Sequence, residues 1–250
     1  MARYQVNLVY DGTLFFGFQR QAKQRTVQSA VEDALHQLGW QGVSLLAAGR
    51  TDTGVHASGQ VIAFDLDWNH SEQALLNALN ACLPSDVAAR QVTTAEDDFH
   101  PRYAARARWY RYRLYLSAVR DPLRDRFAWQ VWPVPDQSRL DILANLLVGR
   151  HDFGAFGTPP KAGRSTQRQI FRASWQGNGD ELCFDVTGNA FLYRMVRRLV
   201  GLQVRTAQNR LPMEVISSYL ERPDASRVQE LAPPQGLTLM KVYYSLEEML

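Results

Sequence analysis

The hydrophobic pattern of this chain changes period repeatedly, and it does so in nearly the same order twice. Tyr4–Tyr10 alternates as a strand does and ends at the turn Asp11-Gly12-Thr13. Leu14–Gln21 is aromatic, glycine-bearing and polar at its end, and reads as a loop. Thr26 is placed to cap a helix through about Leu38: Val27, Ala30, Val31, Ala34, Leu35 and Leu38 keep helical spacing, and Gly39 fits the stop. Gln60–Leu66 follows as a strand. Ser71 opens a second helix with Ala74, Leu75, Ala78 and Leu79 on one side, Pro84 lies beyond its end, and Asp86–Thr93 is a third strand. The pattern then restarts. Arg106–Leu116 is a long strand, with Arg106, Arg108, Tyr110 and Tyr112 on one face. A helix runs from Asp136 or Ser138 to Val148, stopped by Gly149. Leu182, Phe184 and Val186 alternate in a strand, Ala190 to about Gln203 is helical, Pro212 starts a helix through Leu220, and Leu237–Leu246 is a last strand. His151–Gln169 reads as a long loop broken by Gly154, Gly157, Pro159, Pro160 and Gly163. This order predicts an α+β fold of two comparable halves, residues 1–104 and 105–250.

A length of 250 residues allows each half its own core. No apolar run reaches the length of a membrane span, and Met1–Asn7 lacks the apolar centre of a signal peptide. The two cysteines, Cys82 and Cys183, are far apart and outside any metal-ligand pattern, so a reduced, cytoplasmic protein is expected. No known metal signature appears around the five histidines, and there is neither a Gly-rich phosphate loop nor a dinucleotide fingerprint. Metal and nucleotide cofactors are therefore not expected. Asp65 and Asp67 read as solvated edge acids, and Ser58 after His56 lacks the surroundings of a nucleophilic serine.

Gly49-Arg-Thr-Asp-Thr-Gly-Val-His-Ala-Ser-Gly-Gln60 carries the most chemistry. One carboxylate, Asp52, sits between apolar stretches beside Arg50, Thr51, Thr53 and His56, with Gly49, Gly54 and Gly59 allowing tight turns and close ligand approach. A neighbouring guanidinium keeps such a carboxylate ionised and orients it, which suits a nucleophile or a base. The same residues also suit an Asx-turn with a surface ion pair.

Net charge is only +3, but its distribution is uneven. Between His100 and Phe127 lie Arg102, Arg106, Arg108, Arg111, Arg113, Arg120, Arg124 and Arg126 against Asp121 and Asp125, interleaved with Tyr103, Trp109, Tyr110, Tyr112 and Tyr115. Guanidinium forks fit phosphates and aromatic faces stack on unpaired bases, so this stretch reads as a nucleic-acid surface. Pro101 in Phe99-His-Pro-Arg102 suits a structural corner, with Arg102 available to a phosphate. In Asn189–Gly201, Leu192, Met195, Val196 and Leu199 form an apolar stripe with Arg194, Arg197 and Arg198 opposite; core packing with a solvated face is one reading, and Arg197 reaching Asp52 is the other.

Taken in order, Tyr10–Gln19, Gly49–Ala57, Phe99–Arg102, Arg108–Tyr112, His151–Phe153, Arg168–Ile170, Ala190–Arg197 and Pro234–Leu239 resemble the tRNA pseudouridine synthase A family over nearly the whole chain. The resemblance implies two α+β halves with antiparallel sheets facing each other across a basic cleft. It implies a homodimer that isomerises uridine in the anticodon stem-loop of tRNA, at positions 38–40, with no cofactor. Asp52 matches the family's catalytic aspartate and Tyr110 the tyrosine that stacks on the target base. Arg50 and Arg197 match arginines near the aspartate, and Leu237 a residue lining the uracil pocket. Arg102, Arg106, Arg108 and Arg111 are the expected RNA contacts. The residues after Gly201 and the 154–167 stretch depart from the family's pattern. Two other functions compete: an RNA-binding protein without catalysis, which needs no Asp52, and an aspartyl-nucleophile phosphohydrolase, which needs a second acid and a magnesium site.

Overall fold

The computed structural model describes residues 1–159, 163, 165–224, 226–245 and 247–249. They form two compact units, one of Met1–Arg106 with Thr238–Leu250 and the other of Ala107–Leu237. The first unit contains β1 (Ala2–Tyr10), α1 (Val27–Gln37), β2 (Leu46–Ala47), β3 (His56–Leu66), α2 (Glu72–Cys82), β4 (Val87–Ala95) and α3 (Pro101–Ala104). The second contains β5 (Ala107–Leu116), β6 (Trp129–Val131), α4 (Gln137–Asn145), β7 (Gly149–Asp152), β8 (Gln167–Asn178), β9 (Glu181–Gly188), α5 (Met195–Ala207) and α6 (Val215–Glu221). The last strand, β10 (Leu237–Tyr243), belongs to the first unit from Thr238 onward. No helix among the described residues is long and apolar enough to cross a membrane.

In the first unit the strand order is β4-β1-β3-β10, with β2 on β3. β1 pairs antiparallel with β3 and β4, and β10 runs parallel to β3 with Thr238 opposite His56. Tyr4, Val6, Leu8 and Tyr10 alternate into the core, as a half-buried strand requires. α1 and α2 add Val31, Leu35, Leu75 and Leu79, all buried. The parallel return of β10 explains why the division at 104/105 does not match the structure: from Thr238 onward the strand pairs with β3 and belongs to the first unit rather than the second half. Gly59 makes that return possible, because a Cβ there would lie 2.3 Å from the Met240 carbonyl oxygen.

The second unit carries the antiparallel order β5-β9-β8-β7, with β6 parallel to β5. α4 lies against β8 and α5, and Leu140, Leu143, Phe184, Val186, Leu199 and Leu202 fill the core. Both units are thus mixed helix and sheet, and the α+β class holds.

Predicted caps match: Thr26 accepts from the Ser29 N–H, Ser71 from Ala74 and Asp136 from Arg139. Four expectations need correcting. β3 begins at His56, four residues before the predicted Gln60. The predicted loop His151–Gln169 instead holds the end of β7, a short 3₁₀ turn at Gly154–Phe156 and the start of β8. Pro160 and residues 161, 162 and 164 of that stretch lie outside the described residues, as does Leu246 of the predicted last strand. Third, α5 starts at Met195 rather than Ala190. The Tyr193 backbone bridges to Thr158, and Arg194 turns left-handed at φ 62, so helical hydrogen bonds cannot extend further back. Fourth, Arg197 does not lie on a solvated helix face: it is 8% exposed, and its Nε donates to the Ala232 carbonyl at 2.8 Å.

Candidate active site residues

Asp52 lies half-buried in the loop between β2 and β3. Backbone contacts with the Phe15–Phe18 segment hold that loop. The Phe18 N–H donates to the Thr51 carbonyl at 3.0 Å and the Gly54 N–H to the Phe15 carbonyl at 3.3 Å. Gly17, at φ +87, packs so closely that a Cβ would sit 2.9 Å from the Thr51 oxygen and 3.3 Å from the Asp52 carbonyl carbon. The supporting segment is itself anchored on α1. The first-turn N–H groups of Val27 and Gln28 donate to the Gly17 and Phe18 carbonyls, satisfying donors that a helix start otherwise leaves open. Arg20 pairs at 2.8 Å with Glu32, a buried carboxylate that also accepts from Gln28 and the Leu45 N–H.

Side chains fix the same loop from β1 and β3. The Tyr10 hydroxyl and Thr51 Oγ1 are 2.8 Å apart and buried. Gln60 donates to the Gly49 carbonyl at 3.0 Å. His56 is 3% exposed; the Gly12 N–H donates to its Nδ1 at 3.0 Å, and Asp11 lies 3.1 Å from the same nitrogen. The Val55 N–H donates to the Asp52 carbonyl at 3.1 Å, closing a tight turn around the carboxylate. Arg50 and Thr53 are exposed, so Asp52 is flanked by accessible groups on a backbone secured from below. Neither the Tyr10–Thr51 pair nor the Asp11–Gly12–His56 cluster was evident from sequence, since each joins residues more than forty positions apart.

The first unit also holds Arg102 and Arg106. Arg102 is exposed on α3, whose start is capped by His100 and fixed by Pro101, as the structural reading of that corner anticipates. Arg106 lies just outside β5, exposed, with its N–H donating to the Tyr243 carbonyl at 2.8 Å.

In the second unit, Tyr110 is half-buried on β5, its ring edge-on to Phe191 with centres 5.1 Å apart. Tyr112 does not share its accessibility. It is fully buried, donates to the Pro233 carbonyl at 2.7 Å, and its ring abuts Gly236, where a Cβ would come within 2.6 Å. Burial pushes the Tyr112 phenol well above its ordinary range, with Arg197 pulling the other way. Leu237, next to Gly236, is also buried. Arg108 donates to the Asn189 carbonyl at 2.8 Å.

Arg111 departs from the simple picture of a phosphate clamp. Its Nε and Nη2 grip the Asp185 carboxylate at 2.9 and 2.8 Å, Trp109 Nε1 donates to the same carboxylate, and the pair raises the guanidinium pKa. Arg124 pairs with Asp180 and Glu181, and Arg120 with Asp125. Among the described residues, at least three of the eight clustered arginines therefore have carboxylate partners within the fold. Asp180, Glu181 and Asp185 lie 56, 57 and 74 positions from the arginines they pair with, which is why a count confined to the stretch itself overstated its free charge. Among the described residues, no group of three or more His, Cys, Asp or Glu side chains is arranged to hold a metal ion.

The sequence profile of the family described as tRNA pseudouridine synthase matches residues 8–104 and 143–245. Asp52, Arg50, Arg102, Arg197 and Leu237 fall inside the matched stretches, and Arg106, Arg108, Tyr110 and Arg111 between them. The chain is 39% identical to tRNA pseudouridine synthase A of Syntrophotalea carbinolica, covering 99% of this chain and 98% of that one. It is 38% identical to the protein of the same name from Myxococcus xanthus, covering 98% and 92%. Among solved structures, a Cbf5-Nop10-Gar1 complex is matched over 94% of this chain and 48% of that chain, at 11% identity and a TM-score of 0.41. With a profile spanning both units and full-length relatives well above 30% identity, the chain belongs to the tRNA pseudouridine synthase family.

Proposed function

We propose that the chain isomerises uridine to pseudouridine in the anticodon stem-loop of tRNA, at positions 38–40, with Asp52 as its nucleophile and no cofactor. As a family member it is an isomerase that makes pseudouridine in tRNA; the stem-loop, the nucleophile and the cofactor-free chemistry are the finer part of this reading. The reaction breaks the bond from ribose C1′ to uracil N1 and forms one from C1′ to C5. The C5 proton leaves and N1 gains a proton, with no redox change or net hydrolysis. One carboxylate suffices for this, whether it attacks the ribose or the ring or assists elimination. The observation that carries the reading is the Asp52 loop, a half-buried carboxylate on a backbone braced by Gly17, Phe18 and Thr51. Arg50 is suited to orient this carboxylate. Arg197 is assigned to the same chemistry, and Leu237 to the apolar wall against uracil. Arg102, Arg106 and Arg108 are assigned to phosphates. Arg111 joins them only if tRNA competes with Asp185. Release of tritium from C5-labelled uridine in tRNA, measured with chelator present, tests the whole reading. Metal-independent release at the anticodon arm is expected. Binding without release would leave an RNA-binding protein, and release of inorganic phosphate would point to a phosphohydrolase.

Tyr110 is the proposed platform for the target base, which must leave its stack to be reached. Tyr110→Phe keeps the ring and its packing against Phe191, so tRNA affinity stays near wild type. Tyr110→Ala loses about 1–3 kcal/mol of stacking. Filter binding and single-turnover kinetics separate the two, and a Phe variant that binds well yet reacts slowly assigns the hydroxyl a proton-handling role. Wild-type rates for both variants would remove Tyr110 from the site.

A cytoplasmic, two-fold homodimer completes the proposal, since tRNA is wider than one chain of this size and closed two-fold pairs are the commonest soluble assembly. Light scattering at micromolar concentration should give about twice the 28.4 kDa of one chain. A fully active monomer would refute the dimer without touching Asp52.

A further inference from the structure

In the second unit, the residues entering α5 form a surface that the proposed reaction does not use. Tyr193 is 52% exposed, and the guanidinium carbon of exposed Arg194 lies 4.8 Å from its ring centre. Arg194 adopts φ 62, a left-handed conformation unfavourable for an arginine, and residues held this way gather at functional sites. Arg198 then stitches three segments together. Its Nε donates to the Val228 carbonyl at 3.1 Å, and its Nη1 to the carbonyls of Phe156 at 3.2 Å and Tyr193 at 3.4 Å. One guanidinium thus ties the residue before Arg194 to the residue after the exposed Arg227. Burial pushes the Arg198 guanidinium down, and like charge on Arg194, Arg227 and Arg197 adds to the effect. Among the described residues, no carboxylate forms an ion pair with Arg194 or Arg227. The fold therefore concentrates positive charge beside an exposed ring and leaves the charge uncompensated.

We propose that Tyr193, Arg194 and Arg227 form an RNA-contact surface, with the two arginines on phosphates and Tyr193 stacked on an unpaired base. This rests on tRNA being the substrate. An acidic peptide would also answer the arginines, but it would not use the ring. With Arg194 over the Tyr193 ring, the aromatic plane is preset for a base on its other face, and guanidinium forks fit phosphate oxygens.

Binding of an unmodified tRNA transcript, measured over a salt series, tests this without requiring turnover. Arg194→Asn removes the charge with a side chain that tolerates the left-handed turn, and it is combined with Arg227→Gln. This double variant should lower the slope of log affinity against log salt by about 1.4–1.8, the loss of two phosphate contacts. Arg205→Gln with Arg210→Gln removes the same net charge at the other end of α5 and should leave the slope unchanged. Tyr193→Phe should bind as wild type, and Tyr193→Ala about tenfold more weakly. Equal slopes for the two double variants, or unaltered binding by Tyr193→Ala, would overturn the proposal. If the wild-type chain binds no tRNA, the functional reading falls with it; if Asp52 proves dispensable while these shifts appear, the surface stands and only the nucleophile assignment fails.

Discussion

Asp52→Asn should abolish pseudouridine formation, lowering the rate on the order of 10⁴-fold, the scale of losing an essential catalytic side chain, while tRNA affinity stays within about twofold. The substitution keeps size and shape and removes the charge. The loop backbone is held by hydrogen bonds from Phe18 to Thr51, Gly54 to Phe15 and Val55 to the Asp52 carbonyl, none of which involves the carboxylate. Thr51 keeps its bond to Tyr10, and Gly17 its packing on the loop backbone. A rate loss in a variant that melts as the wild type does is then assigned to lost chemistry rather than lost structure. Tritium release and filter binding on the same preparation make the comparison, with thermal melting to verify the fold. Substantial turnover by the Asn variant would end the nucleophile assignment. A parallel loss of binding would instead show that the carboxylate shapes the RNA surface.

The local parts of this fold were legible because their causes are local. Thr26, Ser71 and Asp136 each precede an amphipathic run and supply the oxygen that a helix start needs, and β1 alternates because one face is buried. The Asp52 loop was legible for a related reason: its glycines, hydroxyls and lone carboxylate are contiguous. What failed depended on distant partners. β8 reads Gln-Arg-Gln-Ile-Phe-Arg-Ala-Ser-Trp, polar and shifted in register between Ile170 and Arg172, and only its neighbours β7 and β9 make it a strand. The start of β3 at His56 looked like loop because Ser58 and Gly59 weaken the pattern, yet Gly59 is there to admit β10. The buried role of Arg197 rests on a carbonyl thirty-five positions away. Arg111 looked like a free cation until β9 brought Asp185 to it.

Gly12→Ala should be the most damaging single-methyl substitution near Asp52. An added Cβ would lie 2.0 Å from the Val55 carbonyl oxygen and 2.6 Å from its carbon, and both are backbone atoms that cannot swing aside. Either the turn after β1 or the Val55–His56 segment must move. Both options pull the Gly12 N–H from the His56 Nδ1 it now reaches at 3.0 Å, in a site where water does not replace it. Overpacking of this kind costs about 1–3 kcal/mol, and an unmet buried hydrogen bond adds about 1–3 kcal/mol. Gly39→Ala provides the contrast. Gly39 sits at φ +87 with nothing within 4 Å of where its methyl would sit, so backbone strain alone acts, at about 1–2 kcal/mol. Denaturant unfolding should rank Gly12→Ala well below Gly39→Ala. Because Val55 is three residues from Asp52 and closes its turn, activity should fall further in Gly12→Ala than the folded fraction does. Equal stability of the two variants would mean that the 12–55 contact has room to relax. Activity tracking only the folded fraction would mean that Asp52 holds its position independently of the turn beneath it.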